Sequence, residues 1–401
     1  MSVCKISDRA TRMPYSPIRK LSPYAVAAKE RGLKVYHLNI GQPDILTPQC
    51  ALDAVRAIDR KVLEYSPSQG IKELREAMSR YYEGYCMDVS PDEIIVTTGG
   101  SEAILFALMS CLDEGDELLV TDPSYANYNA FATACGAVLK SIPTSIDSDF
   151  ALPDVADFDK AVTPRTRAIL ICNPNNPTGY VYSREEMMTL KDIAIRHGLY
   201  LICDEVYREF VYDGVEFCSA LSLEGPDENV ILVDSVSKRY SECGIRIGAL
   251  VTRNKAVREA VMKFCQARLS PPLLGQIAAL ASYGAGPEYL KGVYDEYIGR
   301  RNFLIEALNR IPGVYTPMPK GAFYTMVRLP VEDTEDFCRW CLTDFSWKGA
   351  TVMMAPGAGF YSVPDAPRNE VRMAYVLNRN DLSAAVETLE KALEAYRNRQ
   401  I

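Results

Sequence analysis

Short apolar strands alternate with amphipathic helices between residues 94 and 252, and this alternation restricts the chain to a small set of folds. The strands are apolar along nearly their whole length, which is typical of strands buried on both faces of a sheet. Helices that connect such strands cover both faces and make the sheet mostly parallel. We therefore predict an α/β fold with strands 94–98, 117–121, 138–142, 168–172, 199–203, 230–234 and 247–252, and helices 101–111, 125–135 and 184–196.

The flanking regions have a different pattern, which predicts a second, smaller domain. Helices 48–60 and 71–84 lead into the alternating region, and a long helix, 287–310, follows it and ends at Pro312-Gly313. The remaining predicted elements are short: helix 22–31, the extended segment 35–40, strands 322–329 and 371–376, and helices 332–345 and 381–397. We predict a large domain of residues 48–289 and a small α+β domain of residues 290–401 together with an N-terminal arm, 1–47.

Composition and charge exclude several classes of function. The net charge of −8 and the pI of about 5.2 argue against nucleic acid as a partner. No secretory signal and no run of roughly 18 apolar residues is present, so we expect no membrane partner and a cytoplasmic location. The 12 cysteines are scattered, which favours reduced thiols. The 2 histidines, His37 and His197, lie far apart in sequence, and no motif around them supports a zinc site or a Ser-His-Asp triad.

Four groups of polar residues each come directly after a predicted strand. They are Gly99-Gly100-Ser101-Glu102, the segment 173–179 (Asn-Pro-Asn-Asn-Pro-Thr-Gly), Asp204, and Ser235 to Lys238. Each alone is more often a helix cap, a turn, an ion pair or a surface lysine. Ligands of open parallel sheets bind at the carboxyl ends of the strands, so the four groups together predict one site.

The chemistry of these groups is that of a site for pyridoxal 5'-phosphate. A lysine such as Lys238, set among small residues past a buried strand, can be partly desolvated, which lowers its pKa and allows its neutral amine to form a Schiff base. Free N–H groups after a glycine turn at a helix start favour a phosphate. An aspartate after a buried strand can hold a pyridinium N–H, and the three features together predict this cofactor.

Three of the motifs, in this order, resemble those of class I/II aminotransferases of the fold-type I pyridoxal-phosphate enzymes. They are the segment 173–179, Asp204-Glu205-Val206-Tyr207, and Ser235-x-x-Lys238 with Arg246 eight residues further on. The similarity runs from Gly41 to Arg372, and the overall pattern is similar to bacterial aspartate aminotransferases. The resemblance implies a large domain that binds the cofactor and a smaller α+β domain.

The resemblance also implies roles around the cofactor ring. Lys238 would carry the Schiff base, Asp204 would pair with the ring nitrogen, and these two with Tyr207 form the catalytic set. Tyr207 and Asn176 would bind the phenolic oxygen, and Tyr125 would stack on the ring.

Further roles concern the phosphate and the substrate. The residues implied to surround the phosphate are Gly100, Ser101, Glu102, Ser235, Ser237 and Arg246. Arg372 would bind the substrate α-carboxylate as a bidentate fork, with Gly41 and Asn176 completing that pocket. Tyr65 matches a tyrosine that reaches the phosphate of the second subunit, which implies a homodimer with composite sites.

The implied reaction moves the amino group of an L-amino acid to a 2-oxo acid by a ping-pong mechanism through the Lys238 Schiff base. Aspartate is the first choice of donor and 2-oxoglutarate the first choice of acceptor. Many bacterial aspartate aminotransferases carry a basic residue near the phosphate loop for the distal carboxylate, but this chain has Ser101 and Glu102 there. Four other cations could replace it: Arg19, Lys20, Arg239 and Arg268.

Other readings stay open at this stage. The same cofactor could serve a C–S β-lyase, a decarboxylase, or an aminotransferase for aromatic or small neutral amino acids, because fold does not fix function. The implied carboxylate-binding arginine disfavours decarboxylation but not β-elimination. A cofactor-sensing transcription regulator would need a DNA-binding domain, and the arm before Gly41 shows no helix-turn-helix pattern. A nucleotide-dependent oxidoreductase would need G-x-G-x-x-G, which Gly99-Gly100-Ser101-Glu102 does not match.

Overall fold

A seven-stranded sheet forms the centre of the molecule, as the apolar strands predict. The structure is a computed structural model and describes residues 4–399. The strands are, in chain order, β1 Lys34–His37, β2 Ile94–Thr97, β3 Glu117–Asp122, β4 Val138–Pro143, β5 Thr166–Cys172, β6 Tyr200–Asp204, β7 Val230–Ser235, β8 Gly248–Val251, β9 Tyr324–Arg328, β10 Ala350–Met353, β11 Ala355–Pro356 and β12 Glu370–Ala374. The central sheet has the spatial order β2-β8-β7-β6-β5-β3-β4.

The central sheet is mostly parallel, with one reversed strand. Neighbouring strands from β7 to β4 pair in parallel, whereas β8 runs antiparallel to both β7 and β2. The carboxyl ends of the parallel strands therefore meet at one edge, and β8 begins at that same edge. The predicted α/β class with a mostly parallel sheet is confirmed.

Helices cover both faces of this sheet. The helices are α1 Asp8–Arg12, α2 Ser22–Glu30, α3 Gln49–Arg56, α4 Lys72–Glu83, α5 Gly99–Cys111, α6 Asn127–Cys135, α7 Val155–Ala161, α8 Arg184–His197, α9 Val236–Arg239, α10 Lys255–Arg268, α11 Leu273–Ser282, α12 Pro287–Asn309, α13 Thr334–Thr343 and α14 Arg379–Arg399. Successive strand residues enter different cores: Leu118 belongs to the core that includes residues of α5 and α10, and Leu119 belongs to the core that includes residues of α4 and α8. Full burial of one such leucine stabilises the fold by about 1.5–3 kcal/mol.

Two small sheets lie outside the central one. Strands β1 and β10 pair in parallel, and β11, β12 and β9 form an antiparallel sheet. The first pairing joins the N-terminal arm to the C-terminal part of the chain, because Lys34 lies opposite Ala350. The division into domains 48–289 and 290–401 with 1–47 stays a prediction.

The sequence predicts helix boundaries best where the ends of the helix carry capping residues. Helix α8 begins with the capping box of Ser183 and Glu186, and Gly198 ends it with a left-handed φ of 65°. Helices α1, α7, α9, α10 and α11 and strands β10 and β11 were not predicted, and the predicted helix 48–60 stops at Arg56. Strand β10 is set by its distant partner β1, which no local pattern reveals. Within residues 4–399, no helix is both long and apolar enough to cross a membrane.

Candidate active site

One cavity of about 670 Å³ opens at the sheet edge where the parallel strands end. It is lined by every predicted site residue except Glu102 and Tyr65. The predicted residues that it brings together are Gly41, Gly100, Ser101, Tyr125, Asn176, Asp204, Tyr207, Ser235, Ser237, Lys238, Arg246 and Arg372. These residues come from distant parts of the chain, and the fold brings them together around this cavity.

The reversal of β8 places a lysine and an arginine at the same edge. The chain leaves the sheet at Ser235, carries Lys238 on the short helix α9, and returns through Arg246 to Gly248, the register partner of Ser235. The Ser235 hydroxyl caps α9 by accepting from the N–H of Ser237 at 3.2 Å and donates to the carbonyl of Ile247 at 2.8 Å. This fixed hairpin holds both cations beside the carboxyl ends of the strands.

The start of helix α5 and Arg246 form the part of the cavity best suited to a phosphate. Gly99 has a left-handed φ of 75°, and a Cβ atom there would lie 2.3 Å from the Arg246 guanidinium. The missing side chain therefore lets the guanidinium approach the helix N-terminus, whose N–H groups carry partial positive charge. Gly100 and Ser101 line the cavity at this point.

Lys238 is held at the centre of the cavity with its charge disfavoured. Its Nζ donates to the carbonyl of Gly41 at 2.9 Å and lies 3.8 Å from the Sγ of Cys243. Burial lowers the pKa of Lys238, and Arg372 and Arg246 lower it further, against the opposing effect of Cys243. A larger fraction of neutral amine is the state that a nucleophile or a base needs.

Asp204 lies at the end of β6 with one strong hydrogen-bond donor. The hydroxyl of Tyr128 donates to its Oδ2 at 2.8 Å, and the N–H of Val206 lies 3.4 Å from its Oδ1. Burial raises the pKa of Asp204 to about 6, and the Tyr128 hydrogen bond opposes this rise. A cationic ring nitrogen in the cavity would supply the charge that this buried carboxylate lacks.

Arg372 is a buried cation without a carboxylate partner. It is 1% exposed, its Nη1 donates to Oδ1 of Asn176 at 3.0 Å, and its Nη2 donates to the carbonyl of Asn39 at 2.5 Å. Among residues 4–399 no Asp or Glu pairs with it, and its Nε has no hydrogen-bond partner. Burial lowers the pKa of Arg372, so an anion entering the cavity would relieve an unfavourable charge.

A hydrogen-bond chain connects Arg372 to the two cavity tyrosines. Asn176 accepts from Arg372 through its oxygen and donates its Nδ2 to the Tyr207 hydroxyl at 3.3 Å. The hydroxyls of Tyr207 and Tyr324 are 3.0 Å apart, and the Arg372 guanidinium lies 4.5 Å from the centre of the Tyr324 ring. The predicted carboxylate pocket and the predicted phenolic-oxygen pocket are therefore one connected wall.

Sequence reasoning missed Tyr128, Tyr324 and Asn39. Tyr128 follows Tyr125 by three residues, and that helical spacing was the available signal. Tyr324 explains Gly41, because a Cβ atom at Gly41 would lie 1.7 Å from the Tyr324 hydroxyl. The sequence indicates only a turn at Gly41. The need for glycine there comes from the close approach of Tyr324, which lies on the distant strand β9.

Glu102 and Tyr65 lie outside the cavity, and their implied cofactor roles stay predictions. The carboxylate of Glu102 accepts from the N–H of Thr98 at 2.7 Å and pairs with Arg268 at 2.6 Å, so its side chain is engaged elsewhere. Tyr65 is 76% exposed on this chain.

The residues of the cavity fit pyridoxal 5'-phosphate. Its charged lining consists of Arg19, Lys238, Arg246, Arg372 and the single carboxylate Asp204. This excess of positive charge suits a ligand that brings a phosphate and further anionic groups. Asp204 would face the ring nitrogen, Arg246 and the start of α5 would hold the phosphate, and Lys238 would supply the amine for the aldehyde.

Comparison with known proteins identifies a protein family that matches nearly the whole chain. Residues 34–389 match the family described as Aminotransferase class I and II. The aspartate aminotransferase of Pyrococcus horikoshii is 31% identical, with 97% of each chain covered, and the aromatic-amino-acid aminotransferase 2 of Thermococcus litoralis is 33% identical, with 97% of this chain and 98% of that one covered. The solved aspartate aminotransferase of Thermotoga maritima superposes with a TM-score of 0.88 at 31% identity, covering 97% of this chain and 100% of that one.

The resemblance stated from the sequence motifs is thereby confirmed, as is the fold-type I architecture. The two relatives act on different amino acids by name, so they do not agree on a substrate. The family implies pyridoxal 5'-phosphate as cofactor and amino acids and 2-oxo acids as substrates. The chain belongs to the class I and II aminotransferases and is an enzyme of that family.

Proposed function

We propose that this enzyme transfers the amino group of L-aspartate to 2-oxoglutarate by a ping-pong mechanism that depends on Lys238. The observation that carries the proposal is Arg372, a buried guanidinium without a carboxylate partner among residues 4–399, which lines the same cavity as Lys238. A substrate carboxylate would complete that ion pair and place the substrate Cα near the lysine amine. The choice of aspartate follows the resemblance to bacterial aspartate aminotransferases.

The chain supplies binding and proton transfer, and the cofactor supplies the electronic part of the reaction. When bound, pyridoxal 5'-phosphate provides an aldehyde that accepts the amino group and a ring that withdraws electrons from the substrate Cα–H bond. Asp204 favours a protonated ring nitrogen by its charge. The Nζ of Lys238, whose pKa is lowered by burial, takes the proton from the substrate Cα and returns it later in the reaction.

A ping-pong order fits the arrangement of the cavity. The donor and the acceptor both carry a carboxylate next to the reacting carbon, and Arg372 is the one buried guanidinium that lines the cavity within the described part of the chain. The two substrates therefore use the same pocket in turn, and the first product leaves before the second substrate binds.

We also propose a homodimer with composite sites. Tyr65 and its neighbours Val62 and Leu63 are exposed on the single chain at 76%, 70% and 59%. A second copy covering this segment would bring Tyr65 to the other cavity. Mixing inactive Lys238→Ala protein with a Tyr65→Phe variant should then restore one intact site per mixed dimer, whereas independent sites would give only the sum of the two activities.

A cytoplasmic location belongs to the same proposal. All 12 cysteines are free thiols, including six buried in the core at Cys172, Cys203, Cys218, Cys265, Cys338 and Cys341. Thiols in this state are typical of a reducing compartment. Cell fractionation with antibody detection would test the location, and recovery in a secreted or membrane fraction would reject it.

The experiment that tests the reaction is a half-reaction on cofactor-loaded protein. Aspartate, glutamate, alanine, phenylalanine and cysteine are added one at a time without a 2-oxo acid, and the change in cofactor absorbance is followed. Conversion to the amino form of the cofactor, fastest with aspartate, supports the proposal. Release of pyruvate and ammonia from cysteine, without conversion, would instead indicate a C–S β-lyase.

A further inference from the structure

The N-terminal turn brings one more guanidinium to the active-site cavity. Arg19 lines the cavity together with Ser16 and Ile18, whereas Arg372 lines it from strand β12. We propose that Arg19 binds the second carboxylate of a dicarboxylic substrate whose first carboxylate is bound by Arg372. This inference rests on the proposed aminotransfer and adds to it the residue that selects the substrate class.

The other candidate cations are engaged outside the cavity. Lys20 pairs with Glu335, and Arg268 pairs with Glu102 at 2.6 Å. Arg239 is buried against Asp234 at 2.9 Å. None of the three lines the cavity, whereas Arg19 does and has no ion-pair partner among residues 4–399.

The turn that carries Arg19 is fixed to the wall that carries Arg372. The side chain of Asn39 donates to the carbonyl of Ile18 at 2.8 Å, and the carbonyl of the same Asn39 accepts from Arg372 at 2.5 Å. Within the turn, the N–H of Arg19 donates to the carbonyl of Ser16 at 3.1 Å. Asn39 therefore connects the two guanidinium-bearing segments directly.

A second contact holds the turn in place. Pro17 is buried against Gly359, where a Cβ atom would lie 2.3 Å from the proline ring. Two contacts, one at Pro17 and one at the carbonyl of Ile18, therefore anchor the backbone directly before Arg19. The exposed side chain of Arg19 keeps rotamer freedom, so it can adapt to substrates that differ by one methylene.

The charges of the cavity can be assigned one by one. Arg246 lies beside the start of α5, where a phosphate fits, and Arg372 is buried where the α-carboxylate fits. Arg19 is left without an anion once these two are matched. Burial raises the pKa of Tyr125, and Arg372 and Arg19 both oppose this rise, which places both guanidinium charges within electrostatic reach of that ring.

The consequence is a preference for aspartate, glutamate and their 2-oxo acids over alanine, leucine and phenylalanine. A charge-assisted hydrogen bond is worth about 1.5–3 kcal/mol, which corresponds to a factor of roughly 10 to 100 in affinity. A substrate with a neutral side chain would leave the Arg19 charge unmatched and would not gain this affinity. An aromatic side chain stacked on the guanidinium is the competing occupant.

The test compares Arg19→Gln with Lys20→Gln as the matched control, both as cofactor-loaded protein. Dissociation constants for succinate, butyrate and 3-phenylpropionate are measured by calorimetry. Arg19→Gln should weaken succinate about 10- to 100-fold and leave butyrate unchanged, and Lys20→Gln should leave both unchanged. Arg19→Lys should recover part of the succinate affinity.

Other results would overturn the inference. Equal weakening of succinate and butyrate would make Arg19 a structural residue, and a selective loss of 3-phenylpropionate would make it an aromatic-binding residue. Half-reaction rates with aspartate and alanine separate this inference from the proposed function. If wild-type protein converts no amino acid, aminotransfer fails, whereas conversion of alanine with an unchanged aspartate preference in Arg19→Gln rejects only the role of Arg19.

Discussion

Two groups of charged residues lie at neighbouring strands of the central sheet, and they differ in whether their charges are matched. The closed cluster consists of Asp234, Arg208, Arg239, Glu205 and Glu209. The open cluster consists of the cavity residues Asp204, Lys238, Arg246, Arg372 and Arg19. Asp204 ends β6 and Asp234 lies near the end of β7, so each cluster contains an aspartate from one of two adjacent strands.

In the closed cluster, each buried charge lies against an opposite charge. Asp234 accepts from Arg208 at 3.0 Å, from Arg239 at 2.9 Å and from the Tyr82 hydroxyl at 3.0 Å. Burial alone would raise the pKa of Asp234, but the two arginines outweigh it and hold the pKa well below its usual range. Glu205 binds the remaining side of Arg208 at 2.9 Å. Charges matched in this way do not need a bound ligand to neutralise them.

The open cluster has similar groups without their counter-charges. Arg372 has no carboxylate partner among residues 4–399, and Asp204 has a tyrosine where Asp234 has two arginines. Both aspartates are buried at the carboxyl end of a strand, so burial alone does not identify a functional residue. What distinguishes Arg372 and Asp204 is that each lacks a matching charge and also lines the cavity, where a bound molecule could supply that charge.

The largest effect is expected from Lys238→Ala, which removes the reactive amine from the open cluster. Aminotransfer should fall by a factor of about 10² to 10⁴, because the proton transfer at the substrate Cα loses its base. Single-turnover absorbance with the best donor measures the rate. Lys20→Ala is the control and should keep full activity, and a Lys238→Ala protein that stays active would refute the assignment.

Breaking the closed cluster should cost stability. Arg208→Met leaves Glu205 and part of Asp234 buried without a cation, and we expect a loss of about 3–5 kcal/mol in the free energy of unfolding. Urea denaturation of the variant and wild type measures the loss. Arg196→Met is the matched control, because Arg196 pairs with Asp159 at the surface and should contribute less than about 1 kcal/mol.

Arg372→Met should give the opposite pattern. The variant loses the carboxylate contact, so the affinity for amino acids and for succinate should fall about 10- to 100-fold. Its free energy of unfolding should change by less than about 1 kcal/mol, because relief of the buried, unpaired charge offsets the lost hydrogen bonds to Asn176 and Asn39. A stability loss as large as that of Arg208→Met would remove the distinction between the clusters.

The smallest effect concerns Asp204 in cofactor-free protein and depends on pH. Burial raises its pKa to about 6, above the usual value of 3.8, so its ionisation disfavours the folded state. This penalty is absent below the unfolded pKa, grows as pH rises, and is complete above about 6. Relative to Asp204→Asn, wild type should therefore lose about 2 kcal/mol between pH 4 and pH 7. Parallel curves of the two proteins in urea titrations would contradict the expectation.

The sequence predicts the central sheet and the cavity better than the parts built from distant pairings. Strands β5, β6 and β7 are apolar runs with polar residues at their ends, so both their existence and the convergence of those ends follow from local pattern. The side chains that contact the residues at these strand ends cannot be predicted from local pattern. Nothing in the sequence distinguishes Asp204 from Asp234 except motif resemblance, since Arg208 and Tyr128 are matched to them only by folding.

The candidate cations show the same limit. Arg239 directly follows Lys238 and reads as part of the site, but the turn of α9 directs it into the closed cluster. Arg19 lies more than two hundred residues from Lys238 in sequence, and the contacts of Asn39 and Pro17 bring it to the cavity. Distance from Lys238 along the sequence therefore does not predict which cation lies at the cavity.

The reversed strand β8 also has a consequence for how the molecule assembles. β2, which leads into the start of α5, lies at the edge of the sheet, and within residues 4–399 it pairs with β8 alone, with Ile94 opposite Val251. That pairing closes a loop of some 150 residues, and contacts this distant in sequence form late and slowly. During synthesis, Gly100 and Arg246 can meet only after residue 251 has left the ribosome. The capacity to hold the cofactor should therefore appear late in folding, after the parallel core from β3 to β7 has formed.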